Sequence, residues 1–89
     1  MIRPATSADC ATLAKIDAVS NPSPWSVKQF ESAIESRTET VLVSETNGCL
    51  SGFIAWQSVC DESELHLIAT APDFRRQGIA AALLTQWFQ

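Results

Sequence analysis

From residue 7 to 36 the apolar side chains recur at helical spacing, from 40 to 70 they follow strand spacing, and from 78 the helical spacing returns. Ile2-Arg3-Pro4 makes a short extended start. Thr6-Ser7-Ala8-Asp9 places a hydroxyl ahead of an acid three residues on, a helix entry, and Leu13, Ala14 and Ile16 continue it over about 7–19. Asn21-Pro22-Ser23-Pro24 breaks that helix. Ser26-Val27-Lys28-Gln29 opens a second helix with a Ser-x-x-Gln capping box; Val27, Phe30 and Ile34 share one face, and the helix ends near Ser36.

The segment 40–45, Thr-Val-Leu-Val-Ser-Glu, is β-branched and strand-like. Asn47-Gly48 is a two-residue hairpin turn, and 50–59 is the return strand. Cys60 to Ser63 reads as a polar turn. Glu64 to Thr70 alternates as a third strand of the meander, and Pro72 ends it. From Gly78 to Gln89 the pattern is helical again: Ile79, Leu83 and Trp87 lie at i, i+4 and i+8, with alanines between.

Eighty-nine residues make one small domain, and 46% apolar with 18% charged is a globular composition. No apolar run is long enough to span a membrane, and the N-terminus is not a signal peptide. The net charge is −4, with no basic stripe, which argues against nucleic acid as a partner. Three scattered cysteines, a single histidine and no Cys-x-x-Cys argue against a disulfide scaffold or a zinc site. Reduced cysteines point to the cytoplasm.

One segment concentrates chemistry. From Ile68 to Ala80 the chain reads strand, short loop, then a helix start of the form Arg-x-x-Gly-x-Ala. A helix start presents unpaired N–H groups and partial positive charge. Gly78 lets a ligand approach the backbone, Ala80 is small, and Arg75 and Arg76 add cations. Such a start cradles a phosphate or pyrophosphate; an ordinary helix start near two basic residues reads the same way. The pattern is neither a Walker loop nor a dinucleotide fingerprint.

The order helix, helix, strand, Asn-Gly turn, strand, strand, Arg-x-x-Gly-x-Ala, helix resembles the GNAT superfamily of N-acetyltransferases. Ile2-Arg3-Pro4-Ala5-Thr6, Pro24-Trp25-Ser26 and the stretch from Glu64 to Ala80 are similar to the ribosomal-protein-alanine N-acetyltransferases within it. The resemblance implies an α/β fold: a mixed, mostly antiparallel sheet with helices on both faces. It implies acetyl-coenzyme A as cosubstrate and a protein N-terminal amine, including that of a ribosomal protein, as acceptor. Backbone groups of Ile68, Ala69 and Thr70 are then expected at the acetyl and pantetheine end. Arg76, Gln77, Gly78, Ile79, Ala80 and Ala81 match the pyrophosphate loop, with Arg75 beside it.

Trp25 falls in the loop that lines the acceptor site, or is a hydrophobic staple at a helix start. Glu64 matches a glutamate that serves as general base in part of the family, which an ammonium nucleophile requires; it also reads as a solvated strand end beside Asp61 and Glu62. His66 shares its strand face, as a lesser base or a half-buried histidine.

The family continues into a fifth strand, a fourth helix and a closing hairpin, whereas this sequence stops in the third helix and contains no tyrosine. The expectation is a partial domain, truncated after that helix, without the downstream glutamate and tyrosine of the subfamily. Its acetyl transfer would be impaired, and its open sheet edge free to self-associate. The other reading is a non-catalytic fragment that binds coenzyme A or pairs with a second copy.

Overall fold

The computed structural model describes residues 1–88; Gln89, the last residue of the predicted third helix, lies outside them. Strand β1 (Ile2–Pro4) leads through a 3-10 turn (Ser7–Asp9) into helix α1 (Cys10–Ser20). Helix α2 (Val27–Glu35) follows, then strands β2 (Glu39–Thr46), β3 (Cys49–Val59) and β4 (Glu62–Thr70). A second 3-10 turn (Pro72–Phe74) precedes helix α3 (Ile79–Phe88). The sheet order is β1-β2-β3-β4, and each of the three described pairings is antiparallel.

Each local element has a visible cause. The Ser26/Gln29 box closes reciprocally: Ser26 Oγ accepts the Gln29 N–H at 3.2 Å, and Gln29 Oε1 accepts the Ser26 N–H at 2.9 Å. Asn47 and Gly48 both have positive φ, 54° and 81°, the twist a two-residue hairpin needs. At the first helix the Asp9 carboxylate accepts the Thr6 N–H at 2.8 Å, but the opening turn is 3-10 and the α-helix begins only at Cys10.

Two sequence expectations for β4 need correction. The turn before it is two residues, Cys60 and Asp61, not four: Val59 pairs with Glu62. Cys60 supplies a positive φ of 57° that its type does not advertise. The strand also carries a bulge. Ala55 pairs with Leu67 and Trp56 with Leu65, so His66 is an extra residue with no partner opposite.

The two sheet faces bury separate cores. Helices α1 and α2 press Leu13, Ile16, Phe30 and Ala33 onto Val41, Val43, Phe53 and Ala55. Phe30 and Phe53 meet edge to face at 5.3 Å, both fully buried, and each contributes about 1.5–3 kcal/mol by burial. Helix α3 covers the opposite face with Ile79 and Leu83 against Ile54, flanked by Leu65, Ile68 and Trp87. The predicted i, i+4, i+8 stripe is therefore the one that docks, and Trp87 Nε1 donates to Ser63 Oγ at 2.7 Å.

Gly52 sets how closely α3 approaches. A Cβ there would stand 2.8 Å from the Ala69 carbonyl oxygen and 3.0 Å from Ile79 Cγ2. The backbone carbonyl cannot swing aside, so Gly52→Ala should lose about 1–3 kcal/mol of stability, read as a lower urea midpoint with an unchanged slope.

Arg3 ties the first turn to the sheet. Its guanidinium reaches Asp9 at 2.8 and 3.1 Å and also bonds Glu45. The Arg3 hydrogen bond, opposed by burial and assisted by the Thr6 N–H, lowers the Asp9 carboxyl from 3.8 to about 2. A depressed carboxyl stabilises fully above its unfolded value, and the contribution fades as pH falls through the folded one. Asp9→Asn should therefore be less stable at neutral pH and show a shallower loss of thermal midpoint between about pH 4 and pH 2.

Candidate active site

Strand β4 delivers the chain to the start of α3 through a pinned exit. Ser51 is an extra residue where the β2–β3 register shifts, since Ser44 pairs with Gly52 and Glu45 with Leu50. Its buried hydroxyl bonds Ser44 O and Oγ at 3.0 and 2.9 Å. Its carbonyl accepts the Ala71 N–H at 2.8 Å, so the residue after β4 hangs from β3. Pro72–Phe74 then turns the chain, and Phe74 packs onto the α3-side core.

Beyond Phe74, Arg76 has φ 67° and Gly78 φ 77°, with Gln77 between them. Two left-handed residues one apart bend the chain sharply into the start of α3. For glycine this is free; for Arg76 it stores strain of about 1–2 kcal/mol. Gly78 O accepts the Ala82 N–H at 3.0 Å, so the helical bonds begin there and the first amides of α3 have no partner within the helix. A Cβ on Gly78 would meet nothing within 4 Å, so the space beside the turn is open.

The predicted coenzyme residues divide by what they can offer. Arg75, Arg76, Gln77, Gly78, Ala80 and Ala81 are exposed along the turn and first helical residues. The Ile79 side chain is buried beneath the sheet, so only its backbone can serve a ligand. Ala69 is buried and Ile68 and Thr70 half-buried. Among the described strands β4 has only β3 beside it, so alternate N–H and C=O groups along Ile68–Thr70 point away from the sheet. Gln77, Gly78 and Ile79 also line a cavity of about 550 Å³ whose far wall is Met1, Ile2, Ser44 and Thr46, a contribution from β1 and β2 that motif reading missed.

Glu64 stands at the far end of β4, about 20 Å of strand from Thr70. It is exposed and lines a cavity of about 490 Å³ with Gln57, Val59, Glu62 and Ser63. Trp25 lines another of about 450 Å³ with Ser26, Lys28, Gln29, Ser32 and Glu39. The two are linked through the sheet: Glu39 pairs with Gln57, and Gln57 with Glu64, in one row across three strands. His66 lies between, its Nδ1 3.5 Å from Glu39 Oε1 and its ring 6.0 Å from that of Trp25. Trp25 also makes the staple contact, edge-on to Phe30 at 5.3 Å, so both sequence readings of Trp25 are structurally available.

Glu39 escaped sequence reading because nothing local marks it. It opens a strand like any other acid, and only the antiparallel register brings it to His66. No sequence signal would have found it.

A sheet with helices on both faces, and a glycine-containing turn leading from β4 into α3, define an α/β class of fold. Residues 10–89 match the acetyltransferase (GNAT) family, and the chain belongs to that family. It is 41% identical over 61 residues, 68% of this chain, to the [ribosomal protein bS18]-alanine N-acetyltransferase of Escherichia coli K12, and those residues make up 40% of that enzyme. The crystal structure of the ribosomal-protein-S18-alanine N-acetyltransferase from Escherichia coli superposes with a TM-score of 0.86 at 31% identity, covering 98% of this chain and 56% of that one. An N-acetyltransferase from Thermoplasma acidophilum, solved in complex with coenzyme A, shares the fold at 18% identity and a TM-score of 0.74, covering 99% and 69%. The chain thus spans about half the length of the two Escherichia coli relatives, 40% of one and 56% of the other.

A Cβ at Gly78 meets no neighbour, so Gly78→Glu adds a carboxylate beside the turn. It should abolish coenzyme A binding in calorimetry while leaving a folded protein, at a strain of about 1–2 kcal/mol from the left-handed backbone. Equal affinity in both proteins would remove the cradle reading.

Proposed function

We propose that this chain carries the coenzyme half of an acetyl-coenzyme A-dependent N-acetyltransferase acting on a protein N-terminal amine. The observation that carries the reading is the Arg76–Gly78 turn, which follows the Pro72–Phe74 turn out of β4 and opens free helix amides at the start of α3. The amides from Arg76 to Ala81 hold the pyrophosphate, with Arg75 beside them, and the outward backbone of Ile68, Ala69 and Thr70 holds the pantetheine arm. Acetyl-coenzyme A, when bound, supplies the acetyl group as an activated thioester.

Trp25 walls the acceptor groove. Glu64 takes a proton from the acceptor ammonium through water, leaving the amine lone pair to attack the thioester carbonyl. The C–N bond forms, the C–S bond breaks, and the second proton shed by the nitrogen goes to the leaving thiolate, which departs as the thiol. Relatives named for the alanine of bS18 support an alanine N-terminus on a ribosomal protein as acceptor, and the reaction is assigned to the cytoplasm. The three free cysteines accord with that compartment.

A second reading, that the chain binds coenzyme A without turnover or pairs with another copy, draws on the open edge of β4. Incubation with carbonyl-labelled acetyl-coenzyme A and a peptide beginning with alanine separates the two. The proposal predicts label on the peptide α-amine, and Glu64→Gln should slow transfer roughly 10²–10⁴-fold. Coenzyme A binding without labelling, or a dimer in sedimentation with no turnover, would favour the second reading.

A further inference from the structure

The molecule buries one carboxylate that neither core nor coenzyme turn requires. Asp17 lies in the last turns of α1 and is fully buried. One carboxylate oxygen accepts the Trp25 N–H at 2.7 Å, and the other accepts the Asn21 side-chain amide. The Asp17 carbonyl accepts the Asn21 N–H at 2.9 Å. Between these anchors run Pro22, Ser23 and Pro24, two of which have no N–H to offer. The loop therefore hangs on Asp17 at both ends.

Burying a carboxylate is costly, and a staple between Trp25 and Phe30 needs none. What the hydrogen bond adds is direction. It fixes the backbone of Trp25, so that the ring meets Phe30 on one side and His66 on the other, each in T-shaped contact, beside Glu39. We infer that Asp17 is a positioning residue for acceptor recognition: it clamps the α1–α2 loop so that Trp25 forms a fixed wall of the groove it shares with Ser26 and Glu39. The inference rests on the acceptor reading of that groove given above. Asp17 acts only through Trp25 and touches no reacting atom.

The clamp can be broken and rebuilt. Asp17→Asn leaves one amide oxygen for two donors and turns an N–H toward the other. Adding Asn21→Asp restores both bonds with donor and acceptor exchanged between positions 17 and 21. Two readouts apply to the wild type, Asp17→Asn and the double variant. One is the NMR shift of the His66 ring protons, which sense the Trp25 ring current and need no turnover. The other is the pair of KM values, for a peptide beginning with alanine and for acetyl-coenzyme A.

Asp17→Asn should move the His66 shifts and raise the peptide KM roughly tenfold, the loss of one buried hydrogen bond. The acetyl-coenzyme A KM should stay within about twofold, and the double variant should return both readouts to the wild type. Unmoved His66 shifts, both KM values rising together, or a folded double variant that restores nothing would overturn the inference. If the wild type transfers no acetyl group, the proposed function falls and the His66 shifts alone decide on Asp17.

Discussion

The Arg76–Gly78 turn and the start of α3 depend on how closely β3, β4 and α3 approach at Gly52. The Ala69 carbonyl and the Ile79 side chain both lie where a Cβ would be. That contact fixes the first turn of α3 against the sheet one strand away from where β4 ends. It fixes Ile79 as a core residue and therefore turns Ala80 and Ala81 outward. The Ser51–Ala71 hydrogen bond secures the same junction from the β3 side. Between the two constraints, the seven residues from Pro72 to Gly78 have little freedom, and the left-handed Arg76 is held in place by what surrounds it.

The opposite face is organised by aromatic contacts rather than close backbone approach. Phe53 from β3, Phe30 from α2, Trp25 from the loop and His66 from the β4 bulge meet edge to face in succession. The chain of rings runs from the centre of the core to a half-exposed histidine. The bulge matters here, because the extra residue lets His66 and Leu67 turn to this side while Leu65 and Ile68 serve the other. The two cores thus place the Arg76–Gly78 turn and the groove beside Trp25 on opposite faces, with β4 as the element common to both.

The sequence was most legible where a local rule needs only neighbours in the chain. The Ser26/Gln29 box, the Asn47-Gly48 hairpin and the Ile79/Leu83/Trp87 stripe all formed as their spacing predicts. Family resemblance reached further and located the turn around Gly78. What stayed hidden depends on register or on unusual backbone. The tight turn at Cys60 uses a residue with no turn preference, and the β4 bulge leaves its alternation looking regular. Asp17 reads as one more acid on a helix, and Glu39 as one more on a strand, because their partners are eight and twenty-seven residues away. The wall that Met1, Ile2, Ser44 and Thr46 contribute beside Gly78 likewise exists only once β1 has paired with β2.

The central claim is that a coenzyme lies along β4 and ends on the amides of the Arg76–Gly78 turn. A backbone amide NMR titration of the wild-type chain with coenzyme A tests it residue by residue. The account predicts saturable shifts concentrated at Gln77–Ala81 and Ile68–Thr70, with Leu13, Phe30 and their neighbours in the α1–α2 core unmoved. Saturable shifts centred elsewhere, or none at millimolar coenzyme A, would contradict it.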